Sequence, residues 1–132
     1  MSSQKYPNER MNILFVDDMP VCCRIFMKGI SGTKFPGEYS TYWAKTREEA
    51  LEQIKKEDYD LVITDYHLGD EAPKGGLDVI MNSYNEKIPV ISISKEDHRS
   101  ESMSSGADRF VFKKEFFGNI EKIISDVLGN GR

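Results

Sequence analysis

Apolar residues in this chain fall into five short runs separated by amphipathic or polar stretches. Asn12 to Val16 form the first run, and Met19-Pro20 follows at once, with proline suited to the first turn of a helix. Val21, Ile25, Phe26 and Ile30 then recur at helical spacing until a cluster of turn residues, Ser31 to Gly37, ends the pattern. Glu38 to Ala44 reads as a second strand. Thr46 is a good helix N-cap, and Glu49 three residues later completes a capping box ahead of Ala50, Leu51 and Ile54 on one face.

Tyr59-Asp60 closes that helix, and Leu61-Val62-Ile63-Thr64 has the apolar continuity of a central strand buried on both faces. Asp65 stands where this strand stops. A polar loop, Gly69 to Gly76, leads to a helix from about Leu77 to Tyr84, and Pro89 to Ile93 make the fourth strand, with Ser94 at its end. Lys95 to Ser105 are so rich in serine and charge that only a weak helix is expected there. Gly106-Ala107-Asp108 introduces a last strand, Arg109 to Phe112, and Phe116, Ile120, Ile123, Ile124 and Val127 mark a terminal amphipathic helix.

Five short strands alternating with helices predict an α/β fold of three layers, a parallel sheet covered on both faces by right-handed crossovers. No internal repeat or linker interrupts it. In such open sheets ligands bind outside the carboxyl ends of the strands, near the point where strand order reverses.

The length of 132 residues fits one compact domain, and 39% hydrophobic residues provide a core. Residues 1–10 read as a polar N-terminal extension ahead of a domain over 11–129. A net charge of -4 leaves no basic patch for nucleic acid, so direct DNA binding is not expected. No run is long enough for a membrane span and the first ten residues are too polar for a signal peptide, which points to a cytoplasmic location. Cys22 and Cys23 are adjacent and therefore poorly placed for stapling the fold, and read as reduced thiols on a helix.

The chemistry gathers at the strand ends. Asp17 and Asp18 close the first strand, Asp65 the third, Ser94 the fourth and Lys113 the fifth, so one sheet edge collects three carboxylates, a hydroxyl and an ammonium. Carboxylates that close repel one another unless a cation intervenes. An all-oxygen donor set suits Mg²⁺, with Mn²⁺ as a substitute, and disfavours zinc. A metal beside a carboxylate and a lysine suits nucleophilic attack on a phosphoryl group, with an aspartyl phosphate as product.

The segments Phe15-Val-Asp17-Asp18, Ile63-Thr-Asp65-Tyr-His-Leu68, Ile88 to Ser94 and Gly106 to Lys113, in this order, resemble the receiver domain of bacterial two-component response regulators. The resemblance spans about Met11 to Leu128. It implies a flavodoxin-like sheet of order 2-1-3-4-5. It also implies that Asp65 accepts a phosphoryl group from a histidine kinase or histidine phosphotransfer protein, and that the protein is not an enzyme beyond its own aspartyl phosphorylation and hydrolysis. Asp18, Asp65 and the backbone carbonyl of His67 would hold the magnesium ion, Asp17 mainly through water. Lys113 would pair with the phosphoryl group, while Ser94 and Phe110 would form a switch that recruits a downstream protein.

The chain also departs from that family. Lys95 follows Ser94 where a small residue is usual, and with Glu96 and His67 it would tune the lifetime of the acyl phosphate. The interval from Ser94 to Lys113 is short by roughly one helical turn, so a stunted fourth helix is expected. Lys114 replaces the usual proline after the lysine, so a trans bond is expected there unless a strained cis bond is kept for function. The loop around Glu71 is longer than usual. Two other readings fit parts of the pattern. A haloacid-dehalogenase-type phosphatase expects a second aspartate where His67 stands, and a receiver-like adaptor would signal without phosphorylation.

Overall fold

A computed structural model describes residues 10–33 and 36–129, so the expected N-terminal extension, apart from Arg10, lies outside the described residues. Five strands, β1 (Met11–Val16), β2 (Tyr39–Ala44), β3 (Leu61–Asp65), β4 (Val90–Ser94) and β5 (Arg109–Phe112), make one sheet. All pairs are parallel and the order is β2-β1-β3-β4-β5. The helices are α1 (Pro20–Ser31), α2 (Arg47–Lys56), α3 (Gly75–Asn85), α4 (Arg99–Ser104), α5 (Lys113–Gly118) and α6 (Ile120–Gly129). This is the expected three-layer, flavodoxin-like architecture.

The side-chain alternation of each strand divides the core in two. Ile13, Phe15, Leu61, Ile63, Ile91, Ile93 and Val111 pack against α1, α5 and α6, while Leu14, Val16, Val62 and Val90 pack against α2 and α3. Phe15 and Phe26 stack at 4.5 Å between ring centroids and Phe116 continues the layer from the other side of Phe26. On α2 the capping box forms as expected. Thr46 Oγ1 accepts the Glu49 backbone N–H at 3.1 Å, and Glu49 Oε1 accepts the Lys45 N–H at 2.7 Å.

Two expectations need correction. On α1 the face against the sheet is Cys22, Cys23, Phe26 and Ile30, whereas Val21 and Ile25 are each 43% exposed. Cysteine behaves as a small hydrophobe, and at 100° per residue positions 22, 23, 26 and 30 share one side of the helix. The terminal helix is also two helices. Gly118 is a poor helix former, and Asn119 turns the chain, its side-chain amide donating to the Glu115 carbonyl at 3.0 Å. The fourth helix is stunted as expected, with six residues, and α3 starts two residues earlier than its apolar pattern.

That early start is possible because of glycine. A Cβ on Gly76 would lie 2.2 Å from the Asp65 carbonyl oxygen and 2.7 Å from Tyr66 Cα. Both are backbone atoms and cannot step aside, so the first turn of α3 reaches the end of β3 only without a side chain. Glycine to alanine inside a helix ordinarily stabilises by up to about 1 kcal/mol. Here the sign reverses: Gly76→Ala is expected to cost about 1 to 3 kcal/mol, read as a lower urea midpoint at unchanged slope.

Candidate functional site

Register brings the residues at the strand ends together. Val16 pairs with Thr64, so Asp17 comes level with Asp65 across the two strands that flank the reversal of strand order. Asp65 pairs with Ile93, which sets Ser94 one step further along β4, and Ser94 pairs with Phe112, which sets Lys113 one step beyond β5. Strands that are neighbours in the sheet thus deliver their terminal side chains to one edge. Asp17, Asp65, Ser94 and Lys113 are all buried there, and Asp18 is half-buried.

Lys113 is the hub. Its Nζ lies 3.0 Å from Asp65 Oδ2 and 3.1 Å from Asp17 Oδ2, with Cys22 Sγ at 3.7 Å. Carboxylate oxygens of Asp17, Asp18 and Asp65 come within 4.8 Å of one another. Three hydrogen bonds hold Asp17 in place. The Met19 N–H donates to Asp17 Oδ1 at 3.0 Å, and Trp43 Nε1 donates to the Asp17 carbonyl at 2.8 Å. The Asp17 N–H donates to the Ala44 carbonyl at 3.1 Å.

Burial pushes the Asp65 carboxyl up to about 6, with the neighbouring Asp17 charge adding to the effect and Lys113 offsetting part of it. Burial works against the Lys113 ammonium, but Asp65 and Asp17 outweigh it, and its pKa rises. One ammonium shared between two carboxylates satisfies neither fully. Cys22, raised by burial and by Asp17, remains a thiol and adds no charge.

This donor set fits a hard divalent cation. Three carboxylates against one ammonium leave a residue of two negative charges, and the donors are all oxygens. Asp17 Oδ2 is buried with the Lys113 ammonium 3.1 Å away and no geometric hydrogen bond, which leaves lone-pair capacity for a cation.

The other predicted residues surround this centre. Ser94 Oγ accepts the Glu96 N–H at 3.1 Å. His67 is exposed, and its N–H makes a long 3.4 Å bond to Asp65 Oδ1. Lys95, Glu96 and Lys114 are exposed, and the Lys113–Lys114 bond is trans, like every described peptide bond. Phe110 is 6% exposed, packed edge-on against Phe112 at 5.3 Å with the Arg99 guanidinium 5.1 Å above it.

Some of the neighbourhood escaped the sequence reading. Cys22 reaches Lys113 because the inward face of α1 differs from the expected one. Tyr66, directly after Asp65, hydrogen-bonds Glu101 through its hydroxyl and stacks on His98 at 3.8 Å. Burial, followed by the Glu101 bond, pushes that phenol up to about 12. Aromatic character next to an acidic strand end was the one available signal.

The family model described as response regulator receiver domain matches residues 13–125. The chain belongs to the response regulator receiver family. Its members act in two-component signalling. Solved structures agree with the fold. Response regulator TrrA from Thermotoga maritima, in complex with Mg²⁺ and BeF, is 27% identical with a TM-score of 0.74, covering 89% of this chain and 99% of that one. The signal receiver domain of an HD domain-containing protein from Pseudomonas fluorescens is 18% identical with a TM-score of 0.77, covering 92% and 96%. A response regulator from Burkholderia pseudomallei with a phosphorylated aspartic acid, calcium ion and citrate is 21% identical with a TM-score of 0.73, covering 89% and 66%. No curated protein matches the chain.

A receiver carboxylate raised from 3.8 to about 6 has a consequence for stability. Between these values the folded protein holds a proton that the unfolded chain has released. Stability from Asp65 is therefore complete below about pH 4 and is lost as pH rises through about 6. In metal-free buffer, Asp65→Asn is expected to raise urea stability at pH 7 by at most about 3 kcal/mol, and the gain should shrink as pH falls from 6 to 4.

Proposed function

We propose that Asp65 is the phosphoryl acceptor of this receiver, taking its phosphoryl group from a histidine kinase or histidine phosphotransfer protein. The observation that carries this reading is the buried Lys113 ammonium held 3.0 Å from Asp65 and 3.1 Å from Asp17, beside a third carboxylate from Asp18. An Asp65 oxygen attacks phosphorus, and the new O–P bond forms as the N–P bond of the donor histidine breaks. Lys113 neutralises charge on the transferring oxygens. Asp17, Asp18, Asp65 and the His67 backbone carbonyl would hold Mg²⁺, or Mn²⁺ in its place, which supplies further neutralisation of phosphoryl charge.

Ser94 is the hydroxyl that turns toward the phosphoryl group, giving up the Glu96 N–H it now accepts. Phe110 belongs to the same switch, although its ring is already buried beneath Arg99 and gains little further burial by turning inward. Exposed His67, Lys95 and Glu96 rim the same edge and set the lifetime of the acyl phosphate. The output is a changed surface for a downstream protein, with no direct DNA contact. No described helix is long and apolar enough to cross a membrane, and a cytoplasmic location fits this reading.

With acetyl phosphate or phosphoramidate and Mg²⁺, one phosphoryl group is expected per chain, absent in Asp65→Asn and formed about 100-fold more slowly in Lys113→Gln. Intact-mass spectrometry reads the result. An unlabelled wild type would favour the adaptor, and sustained turnover of small phosphomonoesters would favour the phosphatase.

A further inference from the structure

The fourth helix is an unusual element to find so well placed. It has six residues, and the one side chain it buries is Ser102, whose hydroxyl meets Ser92 Oγ at 2.8 Å. A helix of that length has little stability of its own and takes its position from its contacts. No large apolar side chain anchors it to the core. Its contacts are polar and aromatic, and two of them, a stack and a hydrogen bond, meet at Tyr66.

Tyr66 is 2% exposed and continuous with Asp65. Its backbone is fixed on both sides, the N–H donating to the Ile93 carbonyl and the carbonyl accepting from Gly76, each at 2.9 Å. Its ring lies parallel to His98, the N-cap of α4, at 3.8 Å and 3° between planes. Its hydroxyl donates to Glu101 in the first turn of α4. Glu101 is also met by Lys74 at 3.5 Å and by His98 at 3.6 Å.

A second path reaches the same point from Ser94. The Glu96 N–H is bonded to Ser94 Oγ, and the Glu96 carboxylate lies 3.7 Å from His98. Any turn of Ser94 toward Asp65 therefore frees the segment that carries His98 to its stack. On the far side, Arg99 spans Phe110 and Phe112 at 5.1 and 5.9 Å, so the same helix start covers the aromatic pair of β5.

We propose that Tyr66, His98 and Glu101 form a latch that holds α4 in its resting position, and that inward movement of Ser94 opens it. Tyr66 is a positioning residue in this scheme. It does not touch the phosphoryl group but ties the strand bearing Asp65 to the element that must move. The two-state element is α4, and the change that biases it is loss of the Glu96–Ser94 bond when the hydroxyl is recruited elsewhere. The latch rests on the phosphoacceptor reading above.

Amide exchange at Ser102 and Ser105, whose N–H groups bond the His98 and Glu101 carbonyls at 3.0 Å, reports the state of α4 directly. In the full chain with Mg²⁺, beryllofluoride is expected to speed exchange at these amides about 10-fold, the scale of one hydrogen bond to a charged group. Tyr66→Phe and Glu101→Ala, the latter at an exposed site, should each speed exchange about 10-fold without beryllofluoride, which then adds less than about 2-fold. The double variant should exchange no faster than either single one. Variants that exchange like the wild type overturn the latch. So do variants that exchange faster yet keep the full beryllofluoride response, since that marks a merely structural contact. A wild type that labels at Asp65 but whose α4 does not respond sinks the latch alone, whereas a wild type that fails to label sinks the receiver reading and the latch with it.

Discussion

Everything at the carboxyl edge of the sheet depends on one imbalance, a single buried ammonium set among three carboxylates. Lys113 is close enough to Asp65 and Asp17 to keep both in place, but one positive charge cannot offset three negative ones. The fold carries this cost because register and burial leave the side chains nowhere else to go. Asp17 and Asp65 are each buried at the end of a central strand, and their neighbours are the two apolar layers. A divalent cation is the natural complement of such an all-oxygen donor set. The cluster is therefore poised for a cation by its own electrostatics, and the charge gathered there works against stability at Asp65.

Much of this was legible in the chain. Central strands of a parallel sheet are apolar on both faces, so Leu61 to Thr64 and Val90 to Ile93 announce themselves, and the residue that ends each run must lie at the edge where ligands bind. Thr46 and Glu49 define a helix start by local chemistry alone. The acidic set and its lysine were visible for the same reason, since each directly follows an apolar run.

What was not legible depended on how elements pack. Val21 and Ile25 have the spacing of a buried face, yet Cys22 and Cys23 join Phe26 and Ile30 on the side of the helix that packs in the core, and Val21 and Ile25 turn outward. The break at Asn119 is a contest between an unbroken apolar period and a Gly-Asn pair, and the local signal prevails. The contacts of Tyr66 are longer-range still. Its partners His98 and Glu101 lie more than thirty residues away in a segment with almost no helical pattern, and only the crossover from β4 brings them near.

The chain contains one tryptophan, Trp43 on β2. Its indole donates to the carbonyl of Asp17, so the ring is fastened to the backbone of a residue in the acidic cluster, while the residue as a whole is 38% exposed. Filling that cluster with positive charge alters the field along this bond and the solvent relaxation around the ring. The molecule thus carries a built-in optical probe, and its ultraviolet emission can follow occupancy of the site without a label, free of overlapping signal from a second indole.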